Sequence, residues 1–303
     1  MKKWKYGAKE VEYLQLELTS FCNLRCPGCA RTTDKTTTEM LNTSVMQLSQ
    51  IKEWFNKNTL PSLKKISFCG QIDEPASHPE IFEICQHFSY EWEEPKKINF
   101  STNGSLKTKS FWSRLGQLSK NTRIHVEFAL DGLEDTYDIY RVGGKYSKVI
   151  ENAQSFIDAG GEASWKFISF NHNEHQVEEA KSIAKKMGFH VFTAVKSARK
   201  ATSEINTNHN FEEQSKINCR SFNDKWLFVN YDGTMNPCCY FGFEHRNKNP
   251  LDSRLEIITI DEYFKESEFL TDLMEKWDTE SCHHICDRKC SENKKDEREA
   301  LFL

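Results

Sequence analysis

The sequence has no apolar run approaching the ~18 residues that a membrane helix needs, so no helical span is expected. It also lacks a secretory signal: the opening MKKWKYGAKEVEY carries lysines but no apolar centre. Neither sign of charge dominates. Against 45 Asp and Glu stand 41 Lys and Arg, a net charge of −4, with the two signs interspersed. That balance gives no electrostatic reason to expect a nucleic-acid partner. Low-complexity tracts and fixed-period repeats are absent. An even set of cysteines is missing too, since there are eleven. With no export signal, the expected location is the cytoplasm, where clustered cysteines bind metal more often than they form disulfides.

The cysteines that are present gather at the two ends of the chain. One group is Cys22, Cys26 and Cys29; the other is Cys219, Cys238, Cys239, Cys282, Cys286 and Cys290. Cys69 and Cys85 stand alone and read as buried small hydrophobes. A length of 303 residues, 38% of them hydrophobic, suits one large domain and a small one.

From residue 13 to about 195, strand and helix patterns alternate. The strand candidates are YLQLELT, KKISFCG, KKINFSTNG, RIHVEFALDG, SWKFISF and FHVFTAV. Between them, VIENAQSFIDAGG puts Ile150, Ala153, Phe156 and Ile157 on one helical face and stops at glycines. QVEEAKSIAKKMGF repeats this with Val177, Ala180, Ile183, Ala184 and Met187, ending at Gly188. Six βα units in a row predict an α/β fold, a parallel sheet or barrel with right-handed crossovers. Residues 196–218 read as a linker or cover. Residues 219–303 then give a β-hairpin in WLFVNYDGTMNPCC and one helix over TIDEYFKESEFLTDLMEKW.

The strands are polar along one face. Gln15, Glu17 and Thr19 oppose Leu14, Leu16 and Leu18; Asn99, Ser101 and Asn103 oppose Ile98 and Phe100; His125, Glu127, Ala129 and Asp131 oppose Ile124, Val126, Phe128 and Leu130. A strand covered on both sides would be apolar throughout. The pattern therefore predicts helices on one face and a polar lumen on the other. In parallel α/β folds ligands sit at the carboxyl ends of strands. The cysteine triplet, GQIDEP, STNGS and LDG follow the first four strands and would share that rim.

Three cysteines in FCNLRCPGCAR, with no fourth ligand nearby, suit three corners of a [4Fe–4S] cluster better than a four-ligand zinc site. Cys22, Cys26 and Cys29, following the strand ending in LELTSF, resemble the CxxxCxxC loop of the radical S-adenosylmethionine (SAM) superfamily. The resemblance implies a partial (β/α)6 barrel over residues 1–195. It also implies that SAM chelates the fourth iron, and that its reductive cleavage gives a 5′-deoxyadenosyl radical that abstracts a substrate hydrogen. FCGQIDEPASHPEIFEI is similar to the family's GGEP-like motif through Gly70, Glu74, Pro75, His78 and Pro79, although its second glycine is absent. The SAM ammonium would then meet an acceptor among Gln71, Asp73 and Glu74. STNG resembles the third-strand end and places Ser101 and Asn103 near the ribose or carboxylate. LDG places Asp131 near the site, and Arg141 becomes a candidate partner for a carboxylate of SAM or substrate.

The second group, C-x18-C-C followed by CHHICDRKC, resembles a SPASM or twitch extension with one auxiliary [4Fe–4S] cluster in a small hairpin–helix domain. Cys219 and Cys238 are its implied ligands, joined by two of Cys282, Cys286 and Cys290, with the first two favoured. Cys239 reads as a packed neighbour. A zinc knot using His283 or His284 is the alternative. The implied partners are a flavodoxin or ferredoxin reductant and a peptide or small-molecule substrate. Only about twelve residues precede the first strand, which leaves no recognition domain there, and the length leaves no cobalamin domain. A zinc-stabilised binding module, or an iron–sulfur electron carrier without SAM cleavage, remains the competing class.

Overall fold

The computed structural model describes residues 4–33, 44–68, 71–196, 216–244, 253–291 and 299–302. Cys69, Gly70 and most of the expected 196–218 linker lie outside the described residues. All six expected strands form: β1 (Tyr13–Leu16), β2 (Lys65–Phe68), β3 (Lys97–Thr102), β4 (Arg123–Ala129), β5 (Glu162–Ser169) and β6 (Val191–Lys196). They pair in sequence order, each parallel to the next. Parallel neighbours require crossovers, and helices supply them. α1 (Ala30–Thr33) and α2 (Leu48–Trp54) lead to β2, α3 (Ile81–Tyr90) to β3, and α4 (Lys109–Lys120) to β4. α5 (Tyr137–Tyr140) and α6 (Tyr146–Asp158) lead to β5, and α7 (Val177–Met187) to β6. The fold class is α/β.

Both margins of this parallel core continue into further strands. β7 (Trp226–Val229) pairs parallel with β1, and β8 (Met235–Asn236) pairs antiparallel with β7. β9 (Glu299–Phe302) pairs antiparallel with β6. The sheet order is β8-β7-β1-β2-β3-β4-β5-β6-β9. The expected hairpin is thus β7–β8, with Gly233 at φ 80 in its turn, and it extends the main sheet through β1. Around it lie α8 (Arg220–Asn223), α9 (Cys239–Glu244), α10 (Ile260–Glu266), α11 (Glu268–Glu275) and α12 (His284–Cys290). The single helix expected from TIDEYFKESEFLTDLMEKW is two, α10 and α11. Ser267 leaves helical geometry at ψ 112, and its hydroxyl accepts from Leu270 N as the cap of α11.

β3 and β4 follow their alternation, whereas on the first strand the polar residues Gln15, Glu17 and Thr19 are buried like the leucines opposite them. On β4, Ile124, Val126 and Phe128 are buried while His125, Glu127 and Ala129 are partly open. On β3, Ile98 and Phe100 are buried while Asn99 and Ser101 are partly open. The apolar side packs rings in tilted and edge contacts: Trp112 meets Phe100, Phe128 and Phe156 at centroid distances of 5.2–6.4 Å. Each fully buried ring contributes about 1.5–3 kcal/mol. Cys85 is fully buried, as its isolation suggested.

One residue of α6 breaks the apolar rule. The buried face is Val149, Asn152, Ala153 and Phe156. Asn152 is fully buried, and its Nδ2 donates to Gly104 O (2.8 Å) and Leu106 O (3.2 Å). It anchors the loop after β3, where Gly104 sits at φ 70. A Cβ on Gly104 would lie 2.7–2.8 Å from Val149 and Phe128, so both conformation and space require glycine there. Asn152→Ala leaves the buried Gly104 carbonyl without its side-chain donor, while Leu106 O keeps Trp112 Nε1 (3.0 Å), and should lower stability by about 1–3 kcal/mol in urea unfolding. An unchanged midpoint would remove this anchoring role.

Candidate cofactor site

Parallel strands end with backbone amides that have no ladder partner, and here buried carboxylates take them up. Glu17 Oε1 accepts from Ile72 N (2.8 Å), joining the ends of β1 and β2. Asp73 Oδ2 returns the link, accepting from Leu18 N (3.1 Å) and Thr19 N (3.3 Å). Glu74 accepts from Ala76 N (3.1 Å), Thr102 Oγ1 (2.5 Å) and Asn103 N (2.6 Å), joining β2 to β3. Asp131 Oδ1 accepts from Ile168 N (2.6 Å), joining β4 to β5.

The cysteine loop hangs from this rim. Arg25 N donates to Val142 O (3.0 Å), and Cys29 N to Cys26 O (3.0 Å) as α1 begins. Leu24, Tyr140 and Phe170 form a small apolar nest with buried Cys26, and Cys22 and Cys29 pack against it. The Tyr140 and Phe170 rings lie 4.4 Å apart. Burial, reinforced by the Glu74 carboxylate, pushes the Cys22 thiol up to about 12. Burial also raises Cys26, against the opposing pull of the Arg141 guanidinium, whose Nη1 lies 3.9 Å from its Sγ. Thiols held protonated in this way release protons when metal binds.

An open cavity of about 190 Å³ lies beside the thiols. Cys22, Cys26, Cys29, Asp73, Glu74, Ser101, Asn103 and Arg141 all line it. Asn103 Nδ2 lies 3.8 Å from Cys22 Sγ and donates to Asn23 Oδ1 (3.0 Å). Arg141 donates from Nε to Asp131 Oδ2 (2.6 Å), and its Nη2 is equally close to that oxygen. Asp131 is fully buried behind Arg141 and acts by fixing it. Asp73 Oδ1 and Gln71 Oε1 are buried acceptors that no hydrogen bond satisfies among the described residues. Gly70 is not among the described residues.

Three further charged residues line the cavity, none of them assigned a site role from sequence. Arg31 reaches back to Ser20 O and to Ile72 O (3.1 Å). Lys166 and Glu127 pair at 3.4 Å between the neighbouring strands β5 and β4, on the cavity wall. Glu127 was legible as part of a polar face, and Lys166 as a lone charge in the strand pattern SWKFISF.

Members of the second cysteine group lie near enough to feel one another's charge. Cys219 caps α8, Cys238 follows β8, and Cys286 and Cys290 lie on α12. The Cys219 and Cys290 thiols share a hydrogen bond, which together with burial raises Cys219 steeply. Asn218 N donates to Cys290 O (2.8 Å), and Ile217 bridges Ser291. Burial raises Cys238 and Cys286, each feeling the other thiols of the group. Among the described residues no three His, Cys, Asp or Glu side chains converge on a single-ion site.

All ten described cysteines are free thiols, and the first loop offers sulfur donors alone. That soft donor set, in an apolar nest at strand carboxyl ends, fits a thiolate-held iron–sulfur cluster. Fold and site together define an α/β protein built around such a centre. The chain belongs to the radical SAM superfamily, whose family model matches residues 16–186. That family uses a [4Fe–4S] cluster with SAM.

The chain is 31% identical to a GTP 3′,8-cyclase of Clostridium perfringens over 144 residues, 46% of this chain and 41% of that protein. It is 30% identical to the tungsten-containing aldehyde ferredoxin oxidoreductase cofactor-modifying protein of Pyrococcus furiosus over 137 residues, 44% and 34% of the two. The matches thus span less than half the length of these curated relatives. Its fold resembles anSMEcpe with bound AdoMet at a TM-score of 0.64 and 16% identity, covering 92% of this chain and 83% of that one. It also resembles Streptococcus suis SuiB bound to S-adenosylmethionine, at 0.61 and 14%, covering 85% and 66%. No helix of the described residues is long and apolar enough to cross a membrane.

Burial and the carboxylates of Glu17 and Glu74 raise the Asp73 carboxyl well above its ordinary range. A raised folded value contributes stability at acid pH that is lost as pH rises through it. Asp73→Asn keeps an acceptor for Leu18 N and Thr19 N and removes the like-charge repulsion. The variant without cofactors should therefore melt higher than the parent, the gap widening as pH rises above the ordinary carboxylate range. A gap that does not depend on pH would show that Asp73 is not the strained group.

Proposed function

We propose that this chain is a radical SAM enzyme that removes a hydrogen atom from a peptide side chain or a small molecule in its strand lumen. The observation that carries this is the meeting of three thiols and a polar rim in one cavity. When bound, the cluster and SAM supply a 5′-deoxyadenosyl radical. Cys22, Cys26 and Cys29 would hold the cluster. Asp73 Oδ1 and Gln71 Oε1 are the open acceptors suited to an ammonium group. Glu74 serves by fixing Thr102 and Asn103, and Asp131 by fixing Arg141. Ser101 and Asn103 offer polar contacts from β3.

Residues 219–303 would hold one auxiliary [4Fe–4S] cluster, with 196–218 joining them to a 1–195 barrel unit. Cys219, Cys238, Cys286 and Cys290 are the favoured ligands, because Cys290 is the thiol bonded to Cys219; Cys282 stands next in line. A flavodoxin or ferredoxin would supply electrons in the cytoplasm. A peptide substrate draws support from fold neighbours solved with peptides, SuiB with its precursor peptide SuiA and anSMEcpe with the Cp18Cys peptide.

Two measurements test this. Changing Cys22, Cys26 and Cys29 together to Ala should abolish 5′-deoxyadenosine formation and leave about four iron per chain; retained SAM cleavage would sink the reading. Cys290→Ser should lose more auxiliary iron than Cys282→Ser, and the reverse order would reassign the ligand. Stoichiometric zinc in place of that iron would point to a structural knot instead.

A further inference from the structure

The cavity beside the thiols is lined by six charged side chains, and four of them are held by the protein itself. Glu74 is fixed by three donors, and Arg141 by Asp131. Asp73 accepts two backbone amides, and Arg31 donates to two carbonyls. Among the described residues the other two, Glu127 and Lys166, hold only each other and Ser101. Both contacts are long, 3.4 Å, and both fall on Glu127 Oε1, so Oε2 carries none among the described residues. The two side chains are 33% and 39% exposed, a setting in which an ion pair contributes little and exchanges readily. Glu127 lies four residues before Asp131, ~13 Å along an extended strand, so the pair sits beneath the cofactor rim.

We propose that this pair is the substrate anchor and that the substrate is a small zwitterion, an amino acid with free ammonium and carboxylate groups. The inference rests on the radical SAM reading above and narrows its substrate class. A ligand with one charge would displace one member of the pair and leave the other unpaired in a half-buried lumen. An internal peptide segment brings no adjacent backbone charges at all. A zwitterion replaces one long ion pair with two, its carboxylate on Lys166 and its ammonium on Glu127, and the lumen stays neutral. Ser101 Oγ is placed to hold Glu127 during the exchange.

The test uses the reconstituted holoenzyme with SAM, and the standard free L-amino acids as probes. Each is compared with its N-acetylated, C-amidated form by calorimetry. At least one free amino acid should bind, with its blocked form weaker by about tenfold or more. Glu127→Gln and Lys166→Met should each weaken that binding by a similar factor. The double exchange Glu127→Lys with Lys166→Glu, which keeps opposite charges facing, should recover it. Binding by no free amino acid, equal binding of the blocked forms, or single variants that bind like the parent would each overturn the proposal. A parent protein that binds no amino acid yet still cleaves SAM overturns this inference alone. One that reconstitutes no iron on Cys22, Cys26 and Cys29 overturns the reading beneath it.

Discussion

Every parallel sheet has to dispose of the amide groups left over where its strands stop, and in this protein buried carboxylates do so. Glu17 and Asp73 cross-link the ends of β1 and β2, Glu74 links β2 to β3, and Asp131 links β4 to β5. A charged acceptor on a backbone amide is stronger than a neutral one. The cost is a crowd of negative charge: burial and two neighbours raise Asp73, and burial raises Glu74 against its three donors. The same stitches set the ligand cavity. Glu74 holds the backbone that presents Asn103 to Cys22, and Asp131 aims Arg141 at Cys26. Removing a stitch would shift a wall of the site.

The strands were legible because their chemistry is periodic. Alternation within β3 and β4 told which side chains are buried and which stay partly open, while Asn103 and Asp131 just beyond the strand ends are buried. The cysteine loop was legible from spacing and from its place after β1. The roles of the acidic residues were harder to read. Whether Glu74 serves a ligand or the backbone depends on where orphaned amides lie, which sequence does not display. Asn152 was hidden for a related reason, since a polar residue on an apolar helix face makes sense only once the β3 loop is seen under it. Ser267 offered a capping signal inside a run whose hydrophobic spacing looked continuous, and the cap prevailed.

For the C-terminal cysteines, spacing and fold point to different pairs. Cys282 and Cys286 come first after the gap, and that order favoured them. In the fold, α12 turns its last residue back to the segment before α8, so Cys290 reaches Cys219 and is tied to it by backbone as well.

The pairing of β7 with the outer side of β1 carries one more consequence. Without it β1 would be a margin of the sheet, and margins fray first in amide exchange. With it, the strand that delivers the cysteine triplet is clamped on both sides. The protection of the first thiol loop against local opening is therefore a property of the C-terminal segment, and damage at one cysteine group would be felt as loosened hydrogen-bonding at the other.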